Sequence, residues 1–285
     1  MGKIISFINM KGGVGKTTLS IGIADLLASQ GRKVLFVDAD PQFNATQAFL
    51  DAYKSSSELD YYKNEVLDKD KTIYRLFMPQ IDMRKAYTSP AISELKVELT
   101  DNLDLICGDL NLVLVNKSSD HSFVNRIKNF VEDNSLKDNY DYVIIDCPPT
   151  LTIYTDSALM ASDYYLIPNR IDRYSIVGIS SLQQGVQNLI QEERKEIICL
   201  GLVYTMVDNS LAKQSSLRED FESKREVGEI NIFDSSLRIA NNIQNGKSGT
   251  LPTRYQSPKQ DIESICVELE QKITDLEREQ RWIDN

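Results

Sequence analysis

The residues best equipped for chemistry sit in MKGGVGKTT, residues 10–18, where Gly12, Gly13, Val14 and Gly15 lead into Lys16, Thr17 and Thr18. Glycines at these spacings let the backbone turn its N–H groups toward an anion, and a helix beginning near Lys16 adds the positive end of its dipole. Lys16 is placed to reach the outer phosphates of a nucleotide, and Thr17 to offer a hydroxyl to Mg2+. The string departs from the usual G-x-x-x-x-G-K-[ST] pattern, because Met10 stands where its first glycine belongs and Lys11 follows at once.

Two further stretches end apolar runs in carboxylates. VLFVDADPQFNAT, residues 34–46, carries Asp38 and Asp40, and YDYVIIDCPPT, residues 140–150, carries Asp146. Open α/β sheets bind ligands beyond the carboxyl ends of their strands, so Asp146 is a candidate to hold Mg2+ through water. Asp before Pro is also a common turn former, which leaves a structural role open for Asp40. Pro148 and Pro149 stiffen the turn that follows Asp146. A fourth group is basic: residues 235–260 hold Arg238, Lys247, Arg254 and Lys259 and no acid, in a chain with 42 acids and 32 bases.

The elements that must position these groups follow from periodicity. Short apolar, β-branched runs at 4–8, 34–37, 103–106, 142–145, 164–167 and 197–203 alternate with stretches of helical length. That rhythm predicts an α/β fold, a doubly wound, mostly parallel sheet with helices on both faces, in one domain spanning 1–285. Residues 51–72 are polar and of mixed charge, and are expected to form a surface insertion. Residues 258–283 place Ile262, Ile265, Leu269, Ile273 and Leu276 at helical spacing, predicting an amphipathic C-terminal helix with an acidic outer face.

Composition sets limits. A hydrophobic content of 41% supports a sizeable core, and a net charge of −10 argues against a protein coated in nucleic acid, so any such contact is local. Cys107, Cys147, Cys199 and Cys266 are scattered and form no C-x-x-C pair, which signals neither a zinc site nor a disulfide framework. No apolar run approaches the roughly 18–20 residues that span a bilayer.

KGGVGKTT, with a lysine directly before the paired glycines, resembles the deviant Walker A motif of the ParA/MinD family of ATPases. The segment 34–46 is similar to that family's second motif, 140–150 to its Walker B strand and switch loop, and 166–184, 201–209 and 239–247 follow in order. The resemblance, over residues 1 to 275, implies a P-loop NTPase fold and slow, partner-stimulated hydrolysis of ATP with Mg2+. It implies a homodimer with ATP at the interface, in which Lys11 reaches the nucleotide of the other subunit. Lys16 would bind phosphate, Asp40 orient the attacking water with Asp38 in support, and Thr17 and Asp146 hold the metal. The stretch 205–208, with Met206 and Asp208, would lie near the adenine.

Within the family the resemblance points to the ParA type, which binds DNA without sequence preference and partitions a plasmid or chromosome with a small centromere-binding, ParB-like protein. Arg238 matches a DNA-contacting position, and Lys213, Arg218 and Lys247 extend the basic surface. The expected location is cytoplasmic, on the nucleoid in the ATP form. Because the first strand begins at Lys3, no helix-turn-helix is expected ahead of it. The alternative, a MinD-like membrane-cycling regulator of division, calls for a basic C-terminal helix, whereas this one is acidic. Lys11 itself has little reason to be present in a monomer.

Overall fold

The computed structural model describes residues 1–54, 58–78, 87–115, 121–172, 175–208, 212–239 and 249–283. Eight strands, β1 (Lys3–Phe7), β2 (Val34–Asp38), β3 (Val97–Thr100), β4 (Leu103–Ile106), β5 (Tyr142–Asp146), β6 (Tyr164–Arg170), β7 (Ile198–Val207) and β8 (Leu237–Arg238), form one sheet in the order β3-β4-β2-β5-β1-β6-β7-β8. Every pairing is parallel except β3 with β4. The longer helices are α1 (Lys16–Ser29), α2 (Asn44–Tyr53), α3 (Arg126–Asp133), α4 (Ile153–Ala161), α5 (Ser175–Glu193), α6 (Ala212–Glu222) and α7 (Gln256–Ile283).

The central strands read as continuous apolar runs because both faces are covered. Alternate residues serve opposite sides: Ile5, Phe7, Val34 and Phe36 enter a core shared with α1, α2 and α7, while Ile4, Leu35 and Val37 enter one shared with α3 and α4. α1 is buried nearly all round, from Leu19 to Ala28, between the sheet and α7. The two helices come this close because Gly22 carries no side chain; a Cβ there would lie 2.3 Å from Ile262 Cδ1. The predicted stripe of Ile262, Ile265, Leu269 and Ile273 is buried in this contact.

Three features were not legible in periodicity. β3 and β8 are short edge strands, and β7 extends to Val207. The segment 51–72, expected as a surface insertion, continues α2 to Tyr53 and then turns inward, burying Tyr62 and Val66. Among the described residues no helix is long and apolar enough to cross a membrane.

β1 is the pivot of the winding. The chain leaves it toward β2 on one side and later returns through β5 to β6 on the other, which opens a crevice beyond the carboxyl end of β1. The three sequence motifs converge there.

Candidate nucleotide-binding site

The glycine-rich turn leaves β1 and wraps into the first turn of α1. Gly13 and Gly15 take positive φ of 70° and 78°, which a side chain would resist, and the space around Gly13 is open. Two anchors hold the turn. Asn9, buried at the end of β1, donates from Nδ2 to Pro168 O (2.7 Å) and accepts from Lys11 N through Oδ1 (2.9 Å). Thr205, near the end of β7, donates its hydroxyl to Val14 O. The sequence offered only a weak sign of either residue, a polar type near the end of an apolar strand.

The crevice has a volume of 590 Å³ and is lined by all of residues 11–18 together with Asp40, Gln42, Pro149 and Met206, among others. Asp208, the residue after β7, is half-buried and does not belong to this lining. Deeper, Thr17 Oγ1 donates to Asp146 Oδ2 at 2.7 Å, and Lys16 Nζ stands 3.6 Å from Asp146 Oδ1. Asp146 has no solvent exposure, and its Oδ1 is a buried acceptor without a hydrogen-bond partner. Burial holds its carboxyl above the usual carboxylate range, opposed by the Lys16 charge and the Thr17 hydroxyl. A hydroxyl and a carboxylate with one unsatisfied hard oxygen, beside a phosphate cradle, suit Mg2+.

Asp38 pairs in register with Asp146 across β2 and β5. The family resemblance places Asp38 among the cofactor-binding residues as well as in support of Asp40, but it is fully buried and absent from the crevice lining. Its Oδ2 accepts from Thr46 N (2.8 Å) and Thr46 Oγ1 (2.7 Å), and its Oδ1 from Asp40 N (3.3 Å). Burial, then the Asp146 charge, pushes its pKa up to about 7, with the Thr46 hydrogen bonds pulling the other way. Asp38 therefore acts through the loop, fixing the backbone on which Asp40 is carried. Asp40 accepts from Gln42 N at 2.9 Å and lines the same crevice as Lys16.

Lys11 corrects a second expectation. Its ammonium contacts the Asp172 carboxylate just past β6, so the lysine does have a partner within its own chain. The basic surface needs a third correction. Arg238 engages Asp261 through Nε (3.0 Å) and Nη2 (2.7 Å), Arg254 donates to Ala52 O (2.8 Å), and Lys259 lies 3.9 Å from Glu263. A window without acids in sequence has acids beside it in space: Asp261, where α7 packs against β8, and Glu263, two residues further along α7. Arg218 is also paired, with Glu222 at 2.7 Å, and lies over the Tyr204 ring. Lys247 lies outside the described residues; Lys213 is on α6.

A family model described as an AAA domain matches residues 2–199. The chain is 35% identical over 213 residues to the sporulation initiation inhibitor protein Soj of Bacillus subtilis, covering 73% of this chain and 74% of that protein. It is 31% identical over 242 residues to the chromosome partitioning protein ParA of Myxococcus xanthus, covering 84% and 78%. The structure of a putative plasmid partition protein from Borrelia burgdorferi bound to AMPPNP superposes with a TM-score of 0.70 at 21% identity, covering 95% of this chain and 98% of that one; at that identity the likeness is one of fold.

Proposed function

We propose, from the premise that this chain belongs to the ParA/MinD-type family of ATPases, that it is a DNA-partitioning ATPase whose ATP-bound homodimer holds DNA without sequence preference. A small centromere-binding, ParB-like partner would stimulate hydrolysis and release. The observation that carries the reading is the meeting of Lys16, Thr17 and Asp146 beside a glycine cradle whose crevice Asp40 also lines.

Each residue then has a task. The backbone N–H groups of the turn from Gly12 to Thr18 hold the phosphate chain, and Lys16 balances its outer charge. Thr17 and Asp146 hold Mg2+, which when bound neutralises charge on the phosphate oxygens. Asp40 orients the attacking water, and Asp38 fixes the Asp40 backbone. Lys11 leaves Asp172 to meet the nucleotide of a second subunit, so closure of the dimer completes the charge stabilisation. Met206 lies against the base.

The name of the Myxococcus xanthus relative, a chromosome partitioning protein, supports partition. A MinD-like membrane cycle is less well supported, because the apolar stripe of α7 is covered by α1 and its charged residues are seven acids against four bases. The test is DNA binding by the whole chain, measured with ATP, with ADP and without nucleotide. Binding that requires ATP, ignores sequence and falls steeply with salt is expected; equal affinity without nucleotide would overturn the reading.

A further inference from the structure

Phe43, three residues beyond Asp40, adopts a left-handed backbone with φ 39° and ψ 37°. That conformation is costly for a bulky side chain and persists only where the surroundings enforce it. The enforcement comes from the polar segment that follows α2. The Tyr62 ring stacks on Phe43, with centroids 4.9 Å apart and planes 10° from parallel. The Tyr62 hydroxyl donates to Gly108 O at 2.8 Å, and Gly108 N donates to Thr46 Oγ1 at 2.9 Å. Thr46 Oγ1 in turn donates to Asp38 Oδ2, and Asp38 Oδ1 accepts from Asp40 N.

Gly108 sits inside this relay because nothing larger fits. A Cβ there would lie 2.7 Å from Phe43 Cβ and 3.1 Å from Asp38 Cγ. The segment is itself fixed to the sheet, since Ile73 N donates to Cys107 O at 2.8 Å and Thr72 Oγ1 to Asp109 Oδ2 at 2.7 Å. An unbroken set of contacts therefore runs from Tyr62 to the backbone of Asp40.

We propose that Tyr62 is a positioning residue for hydrolysis: by clamping Phe43 and Gly108 it sets where the Asp40 carboxylate stands. The proposal rests on the reading of Asp40 as the water-orienting group. It gives the segment of Tyr62 and Val66 a task in the reaction, although none of the described residues of 58–72 lines the crevice.

The test compares steady-state hydrolysis of Mg-ATP by the full-length chain with Tyr62→Phe, Tyr62→Leu, Asp40→Asn and the Tyr62→Phe/Asp40→Asn double variant, well below the melting temperature of each. Tyr62→Phe keeps the stack and removes the hydroxyl, and should lower kcat by about 3- to 10-fold with KM for ATP unchanged. Tyr62→Leu removes both contacts and should cost up to about 100-fold, the scale of a 1 Å misplacement. The double variant should be no slower than Asp40→Asn alone. A wild-type kcat in Tyr62→Phe beside an inactive Asp40→Asn overturns this inference and leaves the Asp40 reading standing. A parallel rise in KM, or a further loss in the double variant, overturns the route through Asp40. A wild-type rate in Asp40→Asn removes the reading beneath and, with it, this inference.

Discussion

The ammonium of Lys11 rests on the carboxylate of Asp172, which lies 161 residues further along the same chain. Both side chains are about one-third exposed, at 34% and 28%. An ion pair so placed contributes ~0.2–1 kcal/mol and weakens with salt. The contact can therefore park the lysine without locking it. In Asp172→Asn the amide still accepts a hydrogen bond but no longer holds the charge. With two such pairs broken per dimer, ATP-dependent dimerisation should strengthen by about 2- to 30-fold, the equivalent of twice that range. Sedimentation velocity at several protein concentrations reads this directly, and the gain should shrink at high salt. An unchanged or weaker dimer would mean that Asp172 does not compete for Lys11.

Lys16→Ala should lose nucleotide affinity, measured by titration with a fluorescent ATP analogue, and should also cost stability in the free protein. The lysine is the counter-charge of a carboxylate with no solvent exposure. Removing one partner of a buried pair costs ~3–5 kcal/mol while the other stays ionised. Burial already raises the Asp146 pKa, so the cost should ease as pH falls and the carboxyl takes up a proton. Urea denaturation of wild type and variant should give a larger gap at pH 8 than at pH 5. A gap that does not change with pH would mean that Asp146 is not the group Lys16 balances.

The phosphate turn and the carboxylates at the ends of β2 and β5 were legible because each is written locally. Glycines, a lysine and a threonine lie within nine residues, and each aspartate directly follows an apolar run. What was missed is what the fold brings together from far apart. Asp172 for Lys11, Asp261 for Arg238, and Gly108 for Tyr62 all lie far away along the chain. The edge strands β3 and β8, of four and two residues, are too short for alternation to stand out. Tyr62 and Val66 bury themselves from a segment whose composition is polar, so a few apolar residues among many charges gave no periodic signal.

Arg238 offers a graded test of DNA contact. Its guanidinium donates to Asp261 from both Nε and Nη2, so a phosphate must compete with a carboxylate already in place. Arg238→Ala should weaken ATP-dependent DNA binding for all sequences alike and reduce the slope of log K against log salt by about 1 for each phosphate left without its cation. Asp261→Asn frees the cation while keeping an acceptor for Arg238 N, and should raise affinity by a few-fold. Fluorescence anisotropy over a salt series separates the outcomes. If both variants bind as wild type does, Arg238 serves only to join β8 to α7.

Asp156, in the first turn of α4, gives the pH dependence of stability a specific source away from the nucleotide site. Burial first, and then the charges of Glu192 and Glu193 on α5, push its pKa up to about 6 from an ordinary 3.8, with His121 opposing. Between those values the folded chain keeps a proton that the unfolded chain has released, so stability falls as pH rises through the window of about 4 to 6 and levels off above it. Below about 4 the acid is neutral in both states and contributes no slope. Asp156→Asn keeps the shape and removes the titration, so the difference in melting temperature, variant minus wild type, should grow from pH 4 to pH 6 and then stay constant. Because the group is only part-buried, solvent screening keeps the effect modest. A difference that is flat across pH 4–6 would place the Asp156 carboxyl at its ordinary pKa and leave α5 without electrostatic influence on α4.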